Sequence, residues 1–186
     1  GAGPDYFREF LPALRRLYET IFFHPKPVVA AVNGHAIAGG CILAACADRR
    51  LVAAGEARIG VTELLVGVPF PPLAFEIMRF VSAHKFFPEV IFGAATYLPG
   101  EAQQRGLADE IVLAENLLDR AVEAAERLAA IRPEAFALAK RQMRQPVADA
   151  VARHGEAGEA AVAEVWQSPV TVASMQDYVA RTFKKG

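Results

Sequence analysis

One stretch decides how this chain folds: residues 26–41 read KPVVAAVNGHAIAGGC. Its first part, Pro27–Val32, is a short apolar run rich in β-branched side chains, which is typical of a buried parallel strand. An Asn-Gly turn signal follows, and two glycines then lead into Cys41–Ala47, an apolar segment of good helix formers. The order strand, glycine-rich loop, helix favours an α/β arrangement.

On either side of this stretch, strands and helices alternate as far as residue 112, and helices alone follow. The pattern predicts helices over Tyr6–Phe23 and Pro71–Val81, and strands over Arg50–Ala54, Ala57–Gly60 and Leu107–Val112. Further on it predicts a helix that begins near Pro133 and two more over Val147–Trp166 and Val170–Phe183. We therefore divide the chain into an α/β core, residues 1–112, and a helical region, residues 113–186.

Composition limits the possible functions. The 186 residues are 53% hydrophobic, and twenty basic against twenty-one acidic side chains give a net charge of -1. A charge this even does not indicate a nucleic-acid partner. The longest apolar runs are far shorter than the roughly 20 residues that cross a bilayer, so we expect no membrane segment. No targeting signal is visible at the start, and we expect a cytoplasmic protein.

The cysteines and histidines indicate neither a metal site nor nucleophilic catalysis. Cys41 and Cys46 lie five residues apart without a CxxC pattern, and the four histidines are scattered. No serine stands in a GxSxG motif. Two small buried thiols in a reducing compartment are the expected state of the cysteines.

The glycine-rich loop offers backbone amides to a ligand. Residues 34–41 lack the Lys and the Ser or Thr of a nucleotide-binding P-loop, and they do not match GxGxxG. What remains is a helix N-terminus, whose unpaired amides can hold an oxyanion. A tight turn whose glycines serve only packing explains the same spacing, and it is the commoner case.

Two other features have a functional and an ordinary explanation. Glu63 is a lone carboxylate among apolar residues, where burial would raise its pKa and suit it to proton transfer. A first-turn Glu that complements a helix dipole is the commoner situation. Trp166, Met175, Tyr178 and Phe183 could stack on a ligand, but such spacing more often reflects packing against a helix or subunit.

Residues 26–41 closely resemble the signature of the crotonase superfamily, the enoyl-CoA hydratase/isomerase family, and residues 47–49 continue it in register. Residues 57–67 resemble the second block of the family, and residues 102–112 its A-x-x-x-G-L-x-D-x-V block. The resemblance implies an α/β spiral of β-β-α units with a C-terminal helical region that forms trimers or dimers of trimers. It also implies an acyl-CoA substrate, with coenzyme A as part of that substrate and no further cofactor.

The resemblance also assigns roles to individual residues. The amide of Gly39 corresponds to one oxyanion-hole donor, and the carboxylate of Glu63 to a catalytic acid/base. The second donor belongs to a loop before the first helix, which makes Ala2 the candidate. The residues expected to contact the acyl-CoA are Ala38, Gly40, Ile42, Val66 and Pro69. A complete member of the family has several strands ahead of that loop, so we expect an N-terminal part to be missing from this sequence.

Two departures from the family pattern bear on the reaction. Hydratases carry a second Glu where this chain has Ile42, and residues 68–72, VPFPP, replace a glycine-rich stretch. Adding water is best served by paired carboxylates, whereas moving a double bond from position 3 to position 2 needs one base. We therefore slightly prefer Δ3-Δ2 enoyl-CoA isomerisation. A hydratase that positions water with backbone groups and a catalytically silent acyl-CoA-binding protein remain as alternatives.

Overall fold

Strands and helices alternate up to residue 112 and helices follow in the computed structural model, which describes residues 4–183. The helices are α1 (Pro4–Phe22), α2 (Gly39–Ala45), α3 (Pro72–Val81), α4 (Phe87–Phe92), α5 (Pro99–Gln104), α6 (Leu117–Ala129), α7 (Pro133–Gln167) and α8 (Pro169–Phe183). The strands are β1 (Val29–Val32), β2 (Ala36–Ile37), β3 (Arg49–Ala53), β4 (Ile59–Gly60), β5 (Thr96–Tyr97) and β6 (Glu110–Val112).

The strands form two small sheets. One has the order β1-β3-β6 and is parallel throughout, with Val32 opposite Val52 and Val52 opposite Ile111. The other has the order β2-β4-β5, in which β2 and β4 are parallel and β4 and β5 antiparallel. The chain leaves the first sheet at Val32, enters the second at Ala36, and continues from β2 into α2.

The shortest elements differ from the sequence-based prediction. The strand predicted over Ala57–Gly60 is only β4, the one predicted over Leu107–Val112 is only β6, and β2 and β5 were not predicted. At Gly60 of β4 a Cβ would lie 2.2 Å from the carbonyl oxygen of Ala95, so a side chain there would push the two strands apart. The close approach of β5 thus depends on a glycine rather than on a run of β-branched residues.

Between Pro133 and Gln167 the chain forms two helical segments, as predicted, and α7 denotes both of them. The predicted break before Val147 is wrong, because α7 continues through Pro146 and bends at Gly155 instead, where φ is 50° and ψ is -156°. Lys140, Arg144 and Val147 are all buried. Their packing holds the chain in a helix across the proline, and tertiary contacts thus override local propensity.

Two apolar clusters surround the sheets. The larger one joins α1, α2, α3 and the β2-β4-β5 sheet, and includes Tyr18, Phe22, Cys41 and Met78. The smaller one packs α6 against the β1-β3-β6 sheet through residues such as Leu51 and Ala121. Cys41 and Cys46 are both buried and unpaired thiols, as the sequence predicted.

A buried ionic cluster fastens α7 to this core. The carboxylate of Asp48 accepts hydrogen bonds from Lys140 Nζ at 2.6 Å, from Arg144 at 2.7 Å and from the amide of Val28 at 2.8 Å. Lys140 Nζ also donates to the carbonyl oxygen of Lys26 at 3.0 Å. The chain around β1 and the middle of α7 are therefore held together by one carboxylate.

Residues 4–183 offer neither a membrane-spanning helix nor a cluster of metal ligands. No helix in that range is long and apolar enough to cross a membrane. The same residues contain no group of three or more His, Cys, Asp or Glu side chains that could hold a metal ion.

Candidate active site

The first feature of the site is the start of α2. Ala38 precedes it with φ 53° and ψ -128°, an unusual conformation for a residue other than glycine. The amides of Cys41 and Ile42 donate to the carbonyl oxygen of Ala38 at 2.8 and 3.2 Å. Within residues 4–183 the amides of Gly39 and Gly40 make no backbone hydrogen bond. The sharp turn at Ala38 thus leaves the first amides of α2 available to an acceptor.

The second feature is Glu63, the first residue of a short 3-10 helix, Glu63–Val66. The carbonyl oxygen of Glu63 accepts from the amide of Val68 at 3.0 Å, and Gly67 ends the turn with φ 71°. The side-chain atom Oε2 is buried and has no hydrogen-bond partner among the described residues. Burial raises the pKa of Glu63 to about 7. At neutral pH the carboxyl group can therefore both accept and give a proton.

One cavity of about 250 Å³ brings these features together. Among the residues that line it are five of the predicted site residues, namely Ala38, Gly39, Ile42, Glu63 and Val66. The loop after β2 and the turn after β4 reach the same cavity because β2 and β4 are paired, with Ile37 opposite Gly60. The sheet register thus sets the glycine loop beside the carboxylate.

Two predicted site residues do not line the cavity, and a third is not described by the structure. Gly40 is exposed and does not line the cavity, and neither does Pro69. Pro69 is near the cavity nonetheless, because its carbonyl oxygen accepts a hydrogen bond from Trp166, which lines it. Ala2, the candidate for the second oxyanion donor, lies outside the described residues. Contact of these three with a substrate stays a prediction.

Tyr18 of α1 belongs to the site but was not predicted. It lines the cavity, and its hydroxyl group donates to the carbonyl oxygen of Gly39 at 3.3 Å. Burial raises the pKa of Tyr18 above its ordinary value, and the nearby charge of Glu63 adds to the effect. A Cβ on Gly39 would lie 3.2 Å from the Tyr18 hydroxyl oxygen, so the tyrosine limits which residue fits at position 39.

The helical region supplies another wall of the cavity. Trp166, Met175 and Tyr178 line it together with Phe10 and Leu14 of α1. Ordinary helix packing was the favoured explanation for the first three. Trp166 does pack on Phe7 of α1, and all three also line the cavity. The Phe183 side chain lies outside the described part of the structure.

The lining of the cavity is mostly apolar. Glu63 is the one carboxylate among the described lining residues, and Thr62, Tyr18 and Tyr178 supply hydroxyl groups. Ile42 is buried and presents an alkyl group, and the indole N–H of Trp166 already donates to Pro69. Such a site can hold a polar head at the start of α2 and an apolar chain beside it, with a single proton-transfer group.

A family comparison identifies this arrangement. The sequence profile described as enoyl-CoA hydratase/isomerase matches residues 6–183, nearly the whole chain. The chain belongs to the enoyl-CoA hydratase/isomerase family. The resemblance noted in residues 26–41 and in the two later blocks is thereby confirmed for the chain as a whole.

Individual members of the family with similar sequences carry different names. Enoyl-CoA delta isomerase 1, mitochondrial, from Mus musculus is 27% identical over 158 residues, which are 84% of this chain and 55% of that protein. A putative enoyl-CoA hydratase from Thermus thermophilus is 34% identical over 140 residues, 75% of this chain and 54% of that protein. The chain thus spans about half the length of these curated relatives, and their names do not resolve the reaction.

A solved structure confirms the predicted crotonase-like fold of this family member. Human mitochondrial Δ3-Δ2-enoyl-CoA isomerase superposes with a TM-score of 0.92 at 25% identity, and the match covers all of this chain and 73% of that one. Because similar proteins include mitochondrial ones, the predicted cytoplasmic location stays a prediction. So do the homotrimer or dimer of trimers and the division of the chain at residue 112.

Proposed function

We propose that this chain carries the catalytic base of an enoyl-CoA isomerase, which moves a double bond from position 3 to position 2 of an acyl-CoA thioester. The observation that supports this most is the position of Glu63, the single carboxylate among the described lining residues of a largely apolar cavity, which Gly39, the proposed oxyanion donor, also lines. Within the described lining, no second carboxylate is present to handle water.

The proposed reaction needs only one base and one oxyanion site. The thioester oxygen accepts a hydrogen bond from the Gly39 amide, and the Glu63 carboxylate removes a proton from C2 of the acyl chain. The electron pair spreads from C2 to C4 and onto the thioester oxygen. Glu63 then returns the same proton to C4, which leaves the double bond between C2 and C3. No atom is gained or lost, so the proposal requires no cofactor beyond the coenzyme A of the substrate.

The expected energies fit this division of roles. One oxyanion-hole donor contributes roughly 3 kcal/mol to transition-state stabilisation, and a placed acid/base contributes about 10² to 10⁴ in rate. A pKa of about 7 lets Glu63 accept the proton and return it with similar ease near neutral pH. Ala2 remains the candidate for a second donor, which would strengthen the oxyanion site further.

Hydration is the alternative within the same family. It would use Glu63 and a water molecule held by backbone groups or by the Thr62 hydroxyl, which also lines the cavity. The hydratase name of the Thermus thermophilus relative favours it. Ile42 weighs against it, because a buried alkyl side chain cannot hold or deprotonate water. A third possibility is a catalytically silent acyl-CoA-binding protein.

Two substrates separate these functions. The protein is incubated with 3-hexenoyl-CoA and with crotonyl-CoA, and the products are quantified by chromatography. We expect 2-hexenoyl-CoA to form at least about tenfold faster than 3-hydroxybutyryl-CoA, a difference of about 1.4 kcal/mol in barrier. Rapid hydration of crotonyl-CoA would replace the isomerase proposal with the hydratase. Binding of both substrates with no turnover would favour the silent protein.

A homotrimer or a dimer of trimers is proposed as the working assembly, because the chain belongs to a family whose helical region forms such oligomers. Sedimentation equilibrium tests this directly. A mass equal to that of one chain at micromolar concentration would exclude it.

A further inference from the structure

Trp166, near the C-terminal end of α7, connects three parts of the molecule. Its indole N–H donates to the carbonyl oxygen of Pro69 at 2.9 Å. Its ring meets Phe7 edge-on at a centroid distance of 5.5 Å and lies 5.9 Å from Phe10. One side chain therefore ties α7 to α1 and to the segment that follows the Glu63 turn.

The segment that Trp166 holds is directly linked to Glu63. Pro69 follows Val68, whose amide donates to the carbonyl oxygen of Glu63 at 3.0 Å. Val68 is buried and lines the cavity, as do Trp166 and Phe10. A displacement of Pro69 would therefore be transmitted to the Glu63 turn through one residue and one hydrogen bond.

The indole also forms part of the cavity wall on the side of the helical region, together with Met175 and Tyr178. Its one donor is already bonded to Pro69, so the face that Trp166 presents to the cavity is apolar. Beside the indole, the described lining residues of α8 are Met175, which is apolar, and Tyr178, whose hydroxyl group is the one polar group that they offer to water. Since water is the second reactant of hydration but not of isomerisation, this wall bears on the choice between the two reactions.

We propose that Trp166 is a positioning residue that closes the cavity wall over Glu63, excludes water from it, and so favours double-bond migration over hydration. The hydrogen bond from the indole N–H to the Pro69 carbonyl oxygen holds the segment after Glu63 in place, and the indole ring forms part of the cavity wall. This inference rests on the proposed function, and it adds a determinant of specificity that lies about a hundred residues from the base.

The pKa of Glu63 can report how much water reaches it, because the titratable groups nearby do not change charge near pH 7. The charge of Glu63 contributes to raising the pKa of Tyr18 in α1 and of Cys41 in α2. Tyr178 of α8 lines the same cavity. Burial raises the pKa of Cys41 to about 12 and raises that of Tyr18 as well, so both are neutral near pH 7. Desolvation is the largest influence on Glu63, and admitting water should lower its pKa.

The test compares Trp166→Phe, Trp166→Ala and the control Phe75→Leu. Trp166→Phe removes the N–H donor and keeps most of the ring packing, whereas Trp166→Ala opens the wall. Phe75 packs against Phe70 and Phe87 and does not line the cavity, so its replacement reports on a general loss of aromatic packing.

Two quantities are measured with 3-hexenoyl-CoA: the fraction of product recovered as 3-hydroxyacyl-CoA, and the pH midpoint of kcat/KM. We expect Trp166→Ala to raise the hydrated fraction about tenfold and to move the midpoint from about 7 toward the ordinary value of 4.5. Trp166→Phe should change both in the same direction but less, and Phe75→Leu should change neither. An unchanged hydrated fraction and midpoint in both Trp166 variants, with only kcat reduced, would overturn the proposal.

A readout without turnover separates this inference from the proposed function. The unfolding midpoints of Trp166→Phe with and without Glu63→Gln are compared between pH 4 and pH 9, beside the same pair with Trp166 intact. Glu63→Gln should raise the unfolding midpoint at alkaline pH. If Trp166 shields Glu63, this rise should be smaller in the Trp166→Phe background than with Trp166 intact. Equal rises in the two backgrounds would overturn the shielding role. Absence of isomerase activity in the unmodified protein would instead refute the proposed function and leave this result standing.

Discussion

Asp48 and Glu63 are both largely shielded from solvent, but their hydrogen-bonding environments are opposite. Asp48 accepts hydrogen bonds from Lys140, from Arg144 and from a backbone amide, and it joins α7 to the core. Glu63 has a buried oxygen with no partner among the described residues, and burial raises its pKa to about 7. A buried charge that serves architecture is paired, whereas a carboxyl group with an oxygen left without a partner at a cavity is poised for proton transfer. The two residues should therefore fail in different ways when they are changed.

The largest expected effect is on catalysis. Glu63→Gln keeps the shape of the side chain but cannot take up the C2 proton, so kcat for 3-hexenoyl-CoA should fall by about 10² to 10⁴. The far-UV circular dichroism spectrum should be unchanged. Steady-state kinetics checks this, and a Gln variant with undiminished turnover of every enoyl-CoA while binding persists would show that Glu63 is not the base.

Asp48→Ala should instead damage stability. It leaves two buried cations without their carboxylate, which costs about 3 to 5 kcal/mol of unfolding free energy. Urea denaturation measures the loss. The matched control is Asp177→Ala, which breaks the exposed pair with Arg181 and should change stability by less than about 1 kcal/mol. Similar losses in the two variants would mean that the Asp48 cluster does not anchor α7.

The pH dependence of stability distinguishes the two carboxylates further. Because the folded pKa of Glu63 is raised from 4.5 to about 7, the folded state binds its proton more tightly than the unfolded chain does. Stability is therefore lost as pH rises through this window. Glu63→Gln should escape this loss and be more stable than the unmodified protein by up to about 3 kcal/mol at alkaline pH, at roughly 1.4 kcal/mol for each pH unit.

Chemical denaturation of the unmodified protein and of Glu63→Gln at about pH 4 and about pH 8 measures this difference in stability. These pH values lie on either side of the range between the unfolded pKa of 4.5 and the folded pKa of about 7. The advantage of the Gln variant should vanish at the acidic value. An advantage that is equal at both pH values would come from packing and would contradict the raised pKa.

The smallest effect concerns Tyr18. Tyr18→Phe removes the hydrogen bond to the carbonyl oxygen of Gly39, which is long at 3.3 Å. We expect a loss of about 1 kcal/mol in unfolding free energy and a decrease in kcat/KM of less than about tenfold. Thermal denaturation measures the loss of stability, and steady-state kinetics measures the change in kcat/KM. A drop in kcat as large as that of Glu63→Gln would move Tyr18 from a supporting role to a catalytic one.

The sequence predicted the architecture where patterns are strong. Residues 26–41 indicated a strand, a glycine loop and a helix, and the structure has β1, the loop and α2 in that order. It did not predict β2 and β5, which have two residues each, and the pairing of β5 with β4 needs a close backbone approach at Gly60. The bend of α7 at Gly155 was also missed, because Pro146 is the stronger local signal and tertiary packing outweighs it.

The site was predictable only in part. Glu63 and Gly39 were singled out by the family resemblance, while their spacing alone favoured ordinary explanations. Tyr18 and Trp166 lie on helices with apolar spacing, a pattern that does not distinguish a cavity wall from a core. Trp166 reaches Pro69 across 97 positions of sequence, and only the folded chain brings the two together.

The most direct test is the pH profile of kcat/KM for 3-hexenoyl-CoA, which reports the pKa of the base in the free enzyme. Protonated Glu63 cannot accept the C2 proton, so activity should be low in acid, rise with pH and reach half its plateau near pH 7. A profile that is flat between about pH 5 and pH 9, or one with its midpoint at the ordinary value of 4.5, would contradict a buried, unpaired Glu63 as the base.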